Sequence, residues 1–317
     1  MVSQARIDER PLALFLMGPT ASGKTALAQR LSDRFGVGLI SVDSALVYRG
    51  LDIGSAKPDP TTLESYPHRL IDIRDATQAY SAAEFRDDAL RAMGEIASHG
   101  KTPLLVGGTG LYFRALQYGL SDLPEADASL RAELATQAER EGWAALHARL
   151  AALDPQAALR IGPGDAQRIQ RALEVITLTG RPLSAQQTGG RQRFAYRVLK
   201  LALLPEERAR LHERIAQRLE QMFAQGLVAE VERLRARGDL DADLPAMRAV
   251  GYRQVWQHLD GRFDLAQARQ RALFATRQLA KRQITWLRAD YDALAIDPFA
   301  ADCVEKCERH VADFLGA

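Results

Sequence analysis

The stretch GPTASGKT, residues 18–25, follows the apolar run LALFLM and precedes the helical pattern KTALAQRLSDRF. It matches G-x-x-x-x-G-K-[ST] at every fixed position, in the strand-then-helix setting that such a loop needs. This constrains the chain to an α/β fold, because the loop works only where a buried strand delivers its backbone to the first turn of a helix. Gly18 and Gly23 let the backbone curl around oxygens, Lys24 neutralises charge on terminal phosphates, and Thr25 offers a hydroxyl to Mg2+. The loop predicts a bound polyphosphate and leaves open what happens to it.

Two further apolar runs, VGLISVDS and TPLLVGGTG, read as buried parallel strands like LALFLMG. Helices lie between them. SAAEFRDDALRAMGEIASHG opens on a Ser81/Glu84 capping box and closes on Gly100. From SDLPEADASLRAELATQAEREGW to about residue 190 the strand signal vanishes and alanine-rich amphipathic helices follow, broken by DPQAAL, GPGD and TGRPLS. After the link QQTGGRQRF, YRVLKLALL restores a strand pattern, and Pro205 introduces a helical tail. The expected architecture is a P-loop NTPase-like parallel sheet flanked by helices, with an all-α insertion domain. Residues 1–120 plus 195–317 form the core and 121–194 the insertion.

The chain has 317 residues, 47% hydrophobic and 26% charged, which suits a globular core with an insertion and excludes a disordered or fibrous class. No apolar stretch reaches the roughly 18 to 20 residues of a membrane span, and MVSQARIDERP carries no signal-peptide core. A cytoplasmic protein without a membrane partner is expected. Cys303 and Cys307 in CVEKCERH read, with His310, as reduced cysteines and a surface histidine on a terminal helix. The near-neutral total hides an asymmetry: residues 160–290 hold 24 Lys/Arg against 14 Asp/Glu, and 22 of the 24 are arginine. Clustered arginine points to a phosphate-backbone partner, though solvated helical faces have the same composition.

No Walker-B aspartate closes TPLLVGG. Asp43 and Ser44 instead stand at the mouth of LISVD, where a carboxylate can act as a general base, hold magnesium through water, or simply cap a turn. In GGTGLYFRAL, Thr109 offers a hydroxyl at a third strand end. GDAQRIQRALEV puts Gln167, Arg168 and Arg171 within one turn and a half, with Ile169 available for packing. RAVGYRQVW sets Arg248, Tyr252 and Arg253 around Gly251, an arrangement that suits a stacking ring between cations or a buried tyrosine beside a turn.

Taken together, GPTASGKT, SVDSALVYRGLDIGSAKP, PHRLID, VGGTGLYFRAL, QRIQRALEV and RAVGYRQ resemble the bacterial tRNA dimethylallyltransferase family, in order and spacing, over nearly the whole chain. The resemblance implies transfer of a dimethylallyl group from dimethylallyl diphosphate to N6 of adenosine 37, in tRNAs reading codons that begin with U. N6-isopentenyladenosine and diphosphate are the products, and Mg2+ is the implied cofactor. Gly18, Pro19, Thr20, Ala21, Ser22, Gly23, Lys24 and Thr25 would cradle the diphosphate, with Thr25 on the metal. Asp43 would be the general base, Thr109 would line the acceptor channel, and Arg218 would face the diphosphate, with Arg214 one turn earlier as the alternative.

By the same resemblance Asp43, Ser44, Ala45, Leu46, Thr109, Arg131, Gln167, Arg168, Ile169, Gln170, Arg171, Arg248, Ala249, Val250, Gly251, Tyr252 and Arg253 would contact the anticodon stem-loop of tRNA. The protein would act as a monomer. CVEKCERH lacks the second histidine of the eukaryotic members' zinc finger, so that metal is not expected here. Two rivals remain from the residues alone: a small-molecule or nucleoside kinase using the same loop for ATP, and a non-catalytic RNA-binding P-loop protein.

Overall fold

The computed structural model describes residues 9–187 and 194–317. Most of the glycine-rich link, residues 188–193 of QQTGGRQRF, lies outside the described residues, as does the terminus 1–8. The chain divides into two compact units, Met1–Gln117 with Phe194–Ala317, and Tyr118–Arg193.

In the first unit β1 (Leu12–Met17) leads through residues 18–23 into α1 (Lys24–Phe35), followed by β2 (Gly38–Val42), α2 (Pro60–Ser65) and β3 (His68–Arg69). Next come α3 (Ala82–Ser98), β4 (Pro103–Gly107) and α4 (Gly110–Tyr118). The second unit holds α5 (Ala128–Glu141), α6 (Trp143–Leu153), α7 (Pro155–Arg160), α8 (Ala166–Thr179) and α9 (Leu183–Gln186). The chain then returns as β5 (Arg197–Leu203), α10 (Arg208–Ala224), α11 (Leu227–Ala236), α12 (Tyr252–Leu259), α13 (Leu265–Arg288), β6 (Leu294–Ile296) and α14 (Cys303–Leu315).

Among the described residues the strands form one sheet in the order β3-β2-β4-β1-β5-β6, and every pairing is parallel. β5, from beyond the helical segment, pairs directly with β1, so sequence on both sides completes one sheet. The alternation of β1 separates two cores. Ala13, Phe15 and Met17 join the side built with α3, α4, α11 and α12, whereas Leu14 and Leu16 join the side covered by α1 and α14. Both faces are buried, which is why the strands read as continuous apolar runs rather than alternating ones. The capping box at Ser81 and Glu84 is present in α3. Cys303 and Cys307 are buried in the α14 packing. The helical unit has its own core around Leu134, Leu146, Leu150, Ile169 and Leu173.

β3 and β6, of two and three residues, are edge strands that the apolar pattern does not reveal. No helix among the described residues is long and apolar enough to cross a membrane.

Candidate active site

Parallel pairing brings the carboxyl ends of β1, β2 and β4 to one edge, where loops follow each strand. The 18–23 loop turns on Gly23, whose φ of 88° is left-handed backbone that a side chain disfavours. Gly23 is also the N-cap of α1 and supplies no side-chain cap. The first amides of the helix are therefore left for an anion, which the helix dipole also favours. Ser22 Oγ is buried and has no hydrogen-bond partner among the described residues. Lys24 Nζ donates to the carbonyls of Gly18 at 2.9 Å and Pro19 at 2.7 Å, folding back over the loop. Thr25 is exposed on the first turn.

α10 and α13 close the loop from the far end of the chain. Arg218 Nη1 donates to Thr20 Oγ1 at 3.2 Å. Gln283 Oε1 accepts the Thr20 N–H at 2.9 Å, while Gln283 Nε2 donates to the Gly108 carbonyl at 3.1 Å. One amide side chain thus ties the loop after β1 to the loop after β4. Sequence reasoning missed Gln283, because no local pattern marks a contact made across 263 positions. Trp286, one turn along α13, stands where a Cβ at Gly110 would meet its ring at 2.3 Å, so that glycine is dictated by packing.

β2 ends on Asp43. Its Oδ1 accepts the N–H of Ala45 at 2.8 Å and of Leu46 at 3.4 Å, capping the turn that follows. Oδ2 takes no hydrogen bond among the described residues, so the carboxylate both caps and keeps one oxygen available. Thr109 sits beside it: its Oγ1 accepts the Ser44 N–H at 3.3 Å, and its N–H donates to Val42 O at 3.3 Å. Gly107 fills the place of the missing Walker-B aspartate for a steric reason, since a Cβ there would stand 2.0 Å from Val42 O.

Lys24 is pushed down to about 7, first by burial and then by the Arg218 charge, with Asp43 opposing. Arg218 is also lowered by burial, again with Asp43 opposing. Asp43 therefore acts electrostatically on both cations of the phosphate loop. The sign of the pH effect follows. The free loop loses the Lys24 charge as pH rises through about 7, and an anion bound there restores it. Binding of inorganic diphosphate, taken as the ratio of parent to Lys24→Met so that ligand titration cancels, should fall by up to about 10²-fold from about pH 6 to about pH 9. A flat ratio would show that Lys24 keeps its charge throughout.

The residues expected to meet tRNA divide into separate groups. In the helical unit Arg131 and Arg171 both pair with Glu174, whose side chain is fully buried, and Arg171 also donates to Pro124 O. Gln170 donates to Arg131 O, while Gln167 and Arg168 remain exposed. In the first unit Arg248 and Arg253 are exposed, Ala249 and Val250 half-buried, and Gly251 buried with its N–H on Gln254 Oε1.

Two of the expected contact residues are interior. Ile169 and Tyr252 are each 0% exposed, so their side chains support these surfaces from within. Tyr252 donates to Glu230 Oε1 at 2.6 Å and accepts the Ser55 N–H at 3.2 Å. Glu230, which sequence reasoning also missed, accepts the N–H groups of Asp52, Ile53 and Gly54 as well. The segment after Asp43 is thereby pinned to α11 and α12.

Comparison with known proteins adds the following. Residues 46–290 match the family model described as IPP transferase. A tRNA dimethylallyltransferase of Thiobacillus denitrificans is 57% identical over 307 residues, covering 97% of this chain and 98% of the relative. One from Alkalilimnicola ehrlichii is 61% identical, covering 88% of each. Among solved structures, the tRNA isopentenylpyrophosphate transferase of Bacillus halodurans aligns with a TM-score of 0.70 and 36% identity, covering 97% of both chains. A eukaryotic dimethylallyltransferase acting on tRNA shares the fold, with a TM-score of 0.75 and 23% identity over 96% of this chain and 80% of that one.

Proposed function

The chain belongs to the IPP transferase family, and from that premise we propose the chemistry of its sheet edge. It is a transferase that moves a dimethylallyl group from dimethylallyl diphosphate to the exocyclic N6 amine of adenosine 37 in tRNAs reading codons that begin with U. N6-isopentenyladenosine and diphosphate are released. The observation that carries this reading is the pairing of an anion cradle with Asp43, whose charge acts on Lys24 and Arg218 while its Oδ2 stays clear of the turn it caps. The kinase reading of the same loop finds no support among the relatives, which are transferases of prenyl groups to tRNA.

Displacement at the allylic carbon develops negative charge on the departing diphosphate. Lys24, Arg218, the first amides of α1 and the loop residues Gly18 to Thr25 would hold that charge. The neutral adenine amine is a poor nucleophile, and Asp43 would accept its proton as the carbon–nitrogen bond forms. Thr109, hydrogen-bonded to the Ser44 amide, would line the approach of the acceptor. The base must leave the anticodon-loop stack to reach this edge. Asp43 to Leu46, Arg131, Gln167 to Arg171 and Arg248 to Arg253 would supply tRNA contacts, with Ile169 and Tyr252 acting through the backbone they support. The protein would work as a monomer in the cytoplasm, the helical segment serving as a tRNA-contacting domain.

Mg2+ fits an oxygen-only donor set here: the exposed Thr25 hydroxyl and the phosphates that would complete its shell. When bound, it would neutralise leaving-group charge.

The test incubates the protein with unmodified tRNA and either labelled dimethylallyl diphosphate or labelled ATP. Label is expected on tRNA from the prenyl donor alone, with the mass increase at adenosine 37. ATP-dependent labelling of a small acceptor would overturn the reading.

A further inference from the structure

Arg218 is not the only guanidinium that α10 brings to the phosphate loop. One turn earlier, Arg214 lies with Nη1 and Nη2 at 3.8 and 3.9 Å from where a Cβ on Gly23 would stand, beside the turn from which Lys24 starts α1. It is exposed, and among the described residues it makes no salt bridge, whereas Arg168, Arg171, Arg235, Arg237, Arg248 and Arg269 each pair with a carboxylate. Its positive charge also disfavours that of Arg218. Two guanidinium groups and a lysine thus crowd one loop, a repulsion that a multiply charged anion between them would relieve.

Phe299 is what holds Arg214 there. The guanidinium carbon of Arg214 lies 5.5 Å from the ring centroid, and that of Arg210 lies 5.0 Å from it. Arg210 Nη1 also donates to the Phe299 carbonyl at 3.4 Å. Phe299 sits in the connection from β6 to α14, turned by its own N–H on Asp297 Oδ1 at 3.1 Å. Its ring packs on the small apolar cluster of Leu211, Ile215, Ala280 and Ile284, against which Ala21 of the phosphate loop also packs. The ring and the loop are therefore referenced to the same two helices. An arginine stacked in place before the ligand arrives loses less rotamer freedom on binding than one that waves in solvent.

Building on the diphosphate reading of the loop, we propose that Arg214 is a second guanidinium for the diphosphate, at the Gly23 end of the loop, and that Phe299 is its positioning residue. Arg218 grips through Thr20 at one end of the loop and Arg214 stands at the other, so the pair suits a diphosphate better than a single phosphate.

The test measures binding of inorganic diphosphate with Mg2+ to the full chain by calorimetry, together with KM for dimethylallyl diphosphate and for tRNA. Arg214→Gln and Phe299→Leu are each expected to weaken diphosphate about 5- to 10-fold, on the scale of a partly exposed cation–π or charge contact, with KM for tRNA within about twofold of the parent. Phe299→Tyr keeps the ring face and should bind within about twofold of the parent. The double variant should bind no more weakly than Arg214→Gln alone, since the ring acts only through the arginine.

Losses that multiply in the double variant, or a Phe299→Leu protein that binds like the parent, would overturn the role of Phe299. Parent-like binding by Arg214→Gln, an exposed change that places no demand on folding, would overturn the role of Arg214. A parent that binds no diphosphate at all would instead remove the reading on which both rest.

Discussion

Asp43→Asn is expected to lower turnover by roughly 10²-fold or more, the scale of a lost general base, with binding of tRNA and of dimethylallyl diphosphate nearly unchanged. Asparagine is the informative replacement because Asp43 has two tasks on two oxygens. Oδ1 accepts the Ala45 and Leu46 amides and shapes the turn, and an asparagine oxygen repeats those bonds. The second oxygen, which would take the adenine proton, becomes an amide nitrogen with no lone pair to offer. Asp43→Ala removes both tasks and should lose at least as much turnover, with added disorder in the 44–46 turn. Single-turnover rates on unmodified tRNA separate chemistry from product release. An Asp43→Asn enzyme that turns over at the parental rate would take Asp43 out of the base role and leave it as a turn cap.

Glu230→Ala is expected to destabilise the first unit by about 3 to 5 kcal/mol, a large part of the roughly 5 to 15 kcal/mol of a typical domain. Glu230 is 2% exposed and gathers the N–H groups of Asp52, Ile53 and Gly54 and the Tyr252 hydroxyl. Removing it leaves four donors without their acceptor beside a cavity, and an unmade buried hydrogen bond costs more than a made one contributes. Glu230→Gln fills the space but turns an NH2 group toward amide donors, so its loss should lie between parent and alanine. Tyr252→Phe, which deletes one of the four bonds and also the acceptor of the Ser55 N–H, should cost about 1 to 3 kcal/mol. Urea titrations check the series through the midpoint at unchanged slope. Parental stability in Glu230→Ala would mean that the 52–54 segment finds other partners when its anchor is gone.

How far the fold was legible depends on the range of the interactions involved. β1, β2, β4 and β5 announce themselves because a strand covered on both faces must be apolar along its length. His68 and Arg69 of β3 carry no such signal, since an edge strand of two residues has little to bury. The capping box of α3 is legible for the same reason as the phosphate loop: both are completed within a few residues. Spacing makes Ile169 available for packing, and it allows Tyr252 to be a stacking ring or a core residue. The packing of neighbouring helices put both inside. The arginine clusters were visible as composition, but composition does not distinguish Arg171, tied to buried Glu174, from Arg168, left in solvent.

By itself, the sequence determined that this chain carries a P-loop pattern between a strand and a helix of a parallel sheet, with a carboxylate just past the neighbouring strand. Those features rest on strand, turn and helix chemistry within short segments. Only the tertiary structure decided which distant groups complete that loop. Arg218 reaches Thr20 across 198 positions and Gln283 reaches it across 263, while the acceptor segment is pinned by Glu230 from 177 positions away. Contacts of that span are set by how α10, α11 and α13 pack on the sheet, and no local periodicity encodes which of their polar side chains will face a loop at the other end of the chain.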